Sequence, residues 1–217
     1  LPIYIIVDIP KAEFQHCLST LLKTEGLTLL NWTEKCNLWL ARASWLAKQL
    51  TNFPDISKNS LLNDINTWCL PYLTKVTSLS QLKKVNIFEL LTATLSWDDQ
   101  QVLAQQAPTH YTTPSNKDVI ITYDKNQGPT VSVVLQEMFG ELTSPHIGGG
   151  RVALRFELLS PARRPVQTTS DLANFWQTSY FDVAKEMRAK YPKHRWPDKP
   201  LLEKAGRSIK RKKPRAN

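Results

Sequence analysis

The stretch SWDDQQVLAQQAPTHYTTPSNKDVIITYDKNQGPTVSVV, residues 96–134, carries the change of rhythm that decides the fold. Ser96 with Asp99 opens a polar helix, and Pro108 stops it. Beyond Pro108 the apolar period becomes two. Val119 to Tyr123 reads as a strand, Gly128-Pro129 as a turn, and Thr130 to Met138 as a second strand. The chain therefore reads as helices followed by a small sheet.

Glycine supports that division. Of seven glycines only Gly26 precedes residue 128, and helix interiors avoid glycine while hairpin turns use it. Upstream, a helix runs from Pro10 to Gly26 with Phe14, Cys17, Leu18, Leu21 and Leu22 on one face. Asn31 with Glu34 predicts a cap for a helix reaching Leu50. Trp32, Cys36, Trp39, Ala43, Leu46 and Leu50 form its main stripe, while Leu38 and Trp45 fall on the opposite side. A helix apolar on two sides is usually buried on both, so Trp45 is expected to be mostly buried, or else to lie on a surface lost with upstream domains, and Leu38 and Trp45 are candidate interface residues. Ser60, Ser78 with Gln81, and Asn86 with Glu89 predict further short helices. Residues 11–107 are expected to contain helix and loop only.

Downstream, Arg151 to Leu159 is a third strand, with Val152, Leu154, Phe156 and Leu158 facing one way. Pro165 to Thr168 is a fourth. Ser170 caps a helix to Tyr191 whose arc of Leu172, Phe175, Trp176, Tyr180, Val183, Met187 and Tyr191 is expected to close the sheet. The expected class is α+β: a small helical bundle, then a small antiparallel sheet covered by a C-terminal amphipathic helix. The expected divisions are 1–9, a strand completing an upstream domain; 10–107, helical; 108–200, sheet plus helix; and 201–217, a basic disordered tail.

Length and composition exclude several classes. At 217 residues, 41% hydrophobic and 22% charged, the chain can bury a core without disulfides or metal. Cys17, Cys36 and Cys69 have no paired spacing and read as buried thiols of a reducing cytosol. No apolar run approaches the length of a membrane span. Phosphate-loop, Asp-Glu, GxGxxG, HExxH and GxSxG motifs are all absent, so no catalytic residue, cofactor or metal is assigned. Leu1 followed by the strand-like IYIIV suggests a piece of something longer.

Charge is segregated. Residues 1–107 carry nine Lys/Arg and nine Asp/Glu, residues 108–149 carry two and four, and residues 150–217 carry seventeen and six. A positive field confined to the last third attracts polyanions such as nucleic acid, or an anionic membrane surface, and the partner expected is RNA or single-stranded nucleic acid. Candidate contacts are Arg163 and Arg164 after the third strand, and Phe181, Lys185 and Arg188 on the polar side of the last helix. Lys193, Arg195 and Trp196 follow it, and Lys210, Arg211, Lys212 and Lys213 lie in the tail. Bland readings stand beside these: a solvated helix face for Phe181, Lys185 and Arg188, and for Trp196 a ring pinning an extended segment.

One segment resembles a known family. LLSPARRPVQTTSDLANFWQTSYFDVAKEMRAKYPKHRWPDKP, residues 158–200, is similar to the C-terminal signature of bacterial DExH-type ATP-dependent RNA helicases of the HrpB family. TEGLTLLNWTE, WCLPYLTKVTSL, APTHYTTPS and VVLQEMFGE agree with it. The family pattern usually has Gly at positions 163 and 189, an uncharged residue at 195 and often Asp at 199, so this chain is the more basic. The resemblance implies a cytoplasmic parent whose ATP and Mg²⁺ residues lie in upstream motor domains. This region would then be non-catalytic, binding nucleic acid or, alternatively, docking a protein or bracing the motor.

Overall fold

The computed structural model describes residues 11–207 and Ile209; the expected strand at Ile3 to Val7 lies outside them. The chain divides into two compact units, residues 1–103 and 104–217.

The first unit is helical. α1 (Lys11–Glu25) ends where Gly26, at φ 84°, donates its N–H to the Leu22 carbonyl at 2.9 Å. That positive φ is inexpensive only for glycine. Leu18 and Leu22 are buried, but Leu21 and Cys17 are exposed, so the α1 core stripe is narrower than its apolar pattern, and Cys17 is not a buried thiol. α2 (Glu34–Gln49) begins after Thr33, not Asn31. The Asn31 amide donates to the Val85 carbonyl at 3.3 Å, a long-range bond that ties it to the start of the later helix Ile87–Thr92 rather than to α2. Cys36, Trp39, Leu40, Ala43, Trp45 and Leu46 of α2 are buried.

α3 (Lys58–Asn63) is capped by Ser57, whose hydroxyl accepts the Ser60 N–H at 3.1 Å, so Ser60 is the third helical residue and not the cap. Asp64 separates it from α4 (Ile65–Trp68), and a 3-10 turn at Leu70–Leu73 follows. α5 (Leu79–Leu82) takes its cap from Ser78, which accepts the Gln81 N–H. α6 (Ile87–Thr92) starts after Asn86, whose amide bonds the Glu89 carboxylate at 2.7 Å without capping a backbone N–H. α7 (Trp97–Gln106) is opened by Ser96, which accepts the Asp99 N–H and donates to the Asp99 carboxylate. No strand occurs among the described residues up to 107.

The second unit holds β1 (His110–Thr112), β2 (Asp118–Asp124), β3 (Gly128–Val134), β4 (His146–Ile147), β5 (Val152–Ala153), β6 (Arg155–Leu159) and β7 (Pro165–Thr169). Five form one sheet in the order β1-β2-β3-β6-β7, and β4 pairs with β5 alone. The sheet is mixed rather than antiparallel. β3 and β6 run parallel, Val131 opposite Phe156 and Val133 opposite Leu158. The physical reason lies in the connection: residues 135–154 hold a 3-10 turn (Leu135–Met138) and the β4–β5 hairpin, long enough for a parallel crossover. The 3-10 turn also shortens the second strand, which was expected to reach Met138. Ile121, Tyr123, Val131, Val133, Phe156 and Leu158 bury one sheet face.

The last helix is two helices. α8 (Leu172–Gln177) is capped by Asp171, not Ser170, through the Asn174 N–H at 3.0 Å. α9 (Tyr180–Lys190) follows a break at Thr178 and Ser179. Their buried residues Trp176 and Tyr180 pack on Phe139, in the segment that follows β3, and Phe175 packs on Trp176 and Tyr180. The Trp176 indole donates to the Glu141 carbonyl at 2.6 Å.

Candidate nucleic-acid interface

The candidate residues differ in accessibility, each for a local reason. Arg163 and Arg164 occupy the β6–β7 turn. The Arg163 N–H donates to the Ser160 carbonyl at 2.9 Å, and the Ser160 N–H to the Arg164 carbonyl at 2.8 Å. The Ser160 hydroxyl accepts the Arg164 N–H. This tight turn holds Arg163 at φ 60°, so the turn forms without the usual glycine. Both guanidinium groups are exposed, with no polar partner among the described residues.

On α9, Phe181 and Lys185 are four residues apart, and Phe181 is half exposed. Its ring meets the Tyr180 ring edge-on, with centroids 5.7 Å apart. Lys185 is exposed and without a partner among the described residues, as is Lys193. Burial raises the Tyr180 phenol above the usual tyrosine range, and its neutral hydroxyl donates to the Pro197 carbonyl at 2.7 Å.

Three candidates are committed to the fold. Arg188 donates to the Trp196 carbonyl at 2.7 Å and to the Asp198 carboxylate at 3.1 Å. Arg195 donates to Glu203 at 3.0 Å, to the Lys204 carbonyl at 2.8 Å and to the Gly206 carbonyl at 3.0 Å. It fastens the segment after α9. Trp196 is only 4% exposed, and its indole donates to the Tyr191 carbonyl, so its ring is unavailable for stacking and pins the extended segment. Within the expected tail, the Gly206 N–H donates to the Gln136 carbonyl at 2.8 Å, and Arg207 lies 3.8 Å from the buried Glu137 carboxylate. Residues up to Arg207 are thereby held. Lys210, Arg211, Lys212 and Lys213 lie outside the described residues.

Leu38 is 44% exposed and Trp45 only 8%, so of the second α2 stripe only Leu38 meets solvent. The solvated sheet face presents Thr122, Thr130, Ser132, Arg155, Glu157 and Thr168 around a shallow cavity of about 180 Å³. Arg155 is held by Gln127 at 2.6 Å, and Glu157 accepts from Ser132 at 2.5 Å. No aromatic lines this cavity, so it is no stacking platform. Among the described residues no group of side chains could hold a metal, and no helix is long and apolar enough to cross a membrane.

Comparisons with known proteins agree with this architecture. The chain is 43% identical over 190 residues to the ATP-dependent RNA helicase HrpB of Escherichia coli (strain K12), covering 87% of this chain and 24% of the relative. It superposes on a crystal structure of the E. coli DExH-box NTPase HrpB with a TM-score of 0.85, at 40% identity over 93% of this chain and 25% of that one. A second crystal structure, of the Escherichia coli DEAH/RHA helicase HrpB, gives a TM-score of 0.72 at 38% identity, over 90% of this chain and 25% of that one. The chain thus spans about a quarter of the length of these relatives and corresponds to a C-terminal region outside the motor. Residues 68–200 match the family described as ATP-dependent helicase C-terminal, and the chain belongs to that family.

Proposed function

We propose that this region is a non-catalytic accessory of an ATP-dependent RNA helicase and binds the backbone of single-stranded RNA through its second unit. In this reading ATP and Mg²⁺ act in the motor domains of the same protein. The observation that carries it is that the candidate cations Arg163, Arg164, Lys185 and Lys193 are exposed and have no partner among the described residues, in a unit whose sequence holds nineteen Lys/Arg against ten Asp/Glu. An unpaired surface cation gives up no ion pair when it meets a phosphate. Phe181 beside Lys185 adds a ring on which one base can stack.

The test is fluorescence anisotropy with a labelled oligouridylate across a salt series. Each phosphate contact on a single strand contributes about −0.7 to the slope of log affinity against log salt. Four to six contacts predict a slope of roughly −3 to −4. Replacing the four cations by glutamine should flatten it by roughly 2 to 3 and weaken all sequences alike, since phosphate contacts carry no sequence information. Binding that ignores salt, or an unchanged slope in the variant, would refute the reading.

Protein docking is favoured by one feature of the first unit: Tyr72, Leu79 and Trp97 are exposed at 65%, 54% and 72%.

A further inference from the structure

The first unit contains a groove of about 430 Å³ built where the loop before α3, the α3–α4 pair and the end of α6 converge. Its floor is apolar: Ile56, Leu61 and Trp68 are buried, and Leu90 is half-buried. The Trp68 indole N–H is already satisfied by the Leu61 carbonyl at 2.8 Å, so the ring offers carbon to an occupant.

The rim has the opposite character. Asp55 and Asp64 both line the groove, and both are exposed. Asp64 precedes α4, yet its side chain caps no N–H. Neither carboxylate has an ion pair or side-chain hydrogen bond among the described residues, and no Lys or Arg lines the groove. Tyr72 stands at the same rim, 65% exposed.

An apolar floor under two unpaired carboxylates and an exposed ring is complementary to one kind of side chain. Lysine and arginine carry an apolar stem that lies along hydrocarbon and a charged head that stays at the rim. There the head meets opposite charge and an aromatic face. Phosphate is repelled by the same two carboxylates, so this groove is no continuation of an RNA path. The volume lies within the range of specific ligand sites and exceeds what a lone cation would fill.

We propose that this groove docks an extended segment of a partner protein that presents a lysine or arginine next to a large apolar residue. The proposal is independent of RNA binding by the second unit, and either can fail without the other.

The test is a titration of the full ¹⁵N-labelled chain with the blocked peptide acetyl-Gly-Leu-Arg-Leu-Gly-amide, followed by amide chemical shifts. Shifts confined to residues 54–72 and 90–94 are expected, with none from the peptide carrying Glu in place of Arg. The double variant Asp55→Asn, Asp64→Asn should bind at least about fivefold more weakly, the sum of two partly exposed ion pairs. It removes no intramolecular bond, so an unchanged melting temperature shows that the weakening is not unfolding. No shifts at millimolar peptide, equal binding of the Arg and Glu peptides, or full affinity in the double variant would overturn the proposal. So would spermidine reproducing the peptide shifts at equal concentration, because the apolar floor would then play no part.

Discussion

At the residue scale, Arg163 is where stability and the proposed function pull apart. A non-glycine residue at φ 60° costs roughly 1–2 kcal/mol. Arg163→Gly should therefore stabilise the chain by roughly 0.5–1 kcal/mol, net of the entropy glycine adds to the unfolded state. The same change removes one phosphate contact, so RNA affinity should fall as the melting temperature rises. Thermal unfolding and anisotropy on one variant check both signs. The cysteines give a second prediction. Cys17 is exposed, whereas Cys36 and Cys69 are buried, and burial pushes the Cys69 thiol up to about 12. Only the thiolate reacts. Ellman's reagent should titrate one thiol of the native chain at pH 8 and still one at pH 9, with three after denaturation. The sequence did not announce Cys17, because its spacing with Leu18 and Leu21 looks like a core stripe.

At the element scale, what was legible was local. Ser78 with Gln81 and Ser96 with Asp99 form their caps because both partners lie within one helical turn. Asn31 does not cap because α2 starts after Thr33, and its amide donates to the Val85 carbonyl 54 residues away. The parallel β3–β6 pairing was equally hidden, since it depends on where a 20-residue connection returns. Arg195 shows the same limit. A guanidinium between histidine and tryptophan looks like a nucleic-acid grip, and only the folded chain brings Glu203, Lys204 and Gly206 to it. Arg195→Met should cost about 2 kcal/mol, the worth of a charge-assisted hydrogen-bond set. Its signature is local: amide exchange at Gly206, bonded to the Gln136 carbonyl, should accelerate far more than at Val131 inside the sheet. Uniform acceleration would mean that Arg195 supports the whole unit instead of fastening one segment.

At the scale of the whole molecule, the charge asymmetry was plain from the sequence, while the acidic groove was not, because Asp55, Asp64 and Tyr72 share no spacing and meet only through folding. The asymmetry also fixes how a tail experiment must be cut. Removing everything from Arg207 onward would disturb the fold, since Arg207 faces Glu137 and Ile209 bridges to His194. Ending the chain after Ile209 removes Lys210, Arg211, Lys212, Lys213 and Arg215 and keeps those contacts. If Arg163, Arg164, Lys185 and Lys193 supply most of the phosphate contacts, this truncation should flatten the salt slope by only roughly 1, against roughly 2 to 3 for their replacement. The two changes lie in different segments, so their effects on log affinity should add within about 0.5 kcal/mol. A truncation that removes most of the slope would relocate the RNA contact to the tail and leave the α9 face as a merely solvated surface.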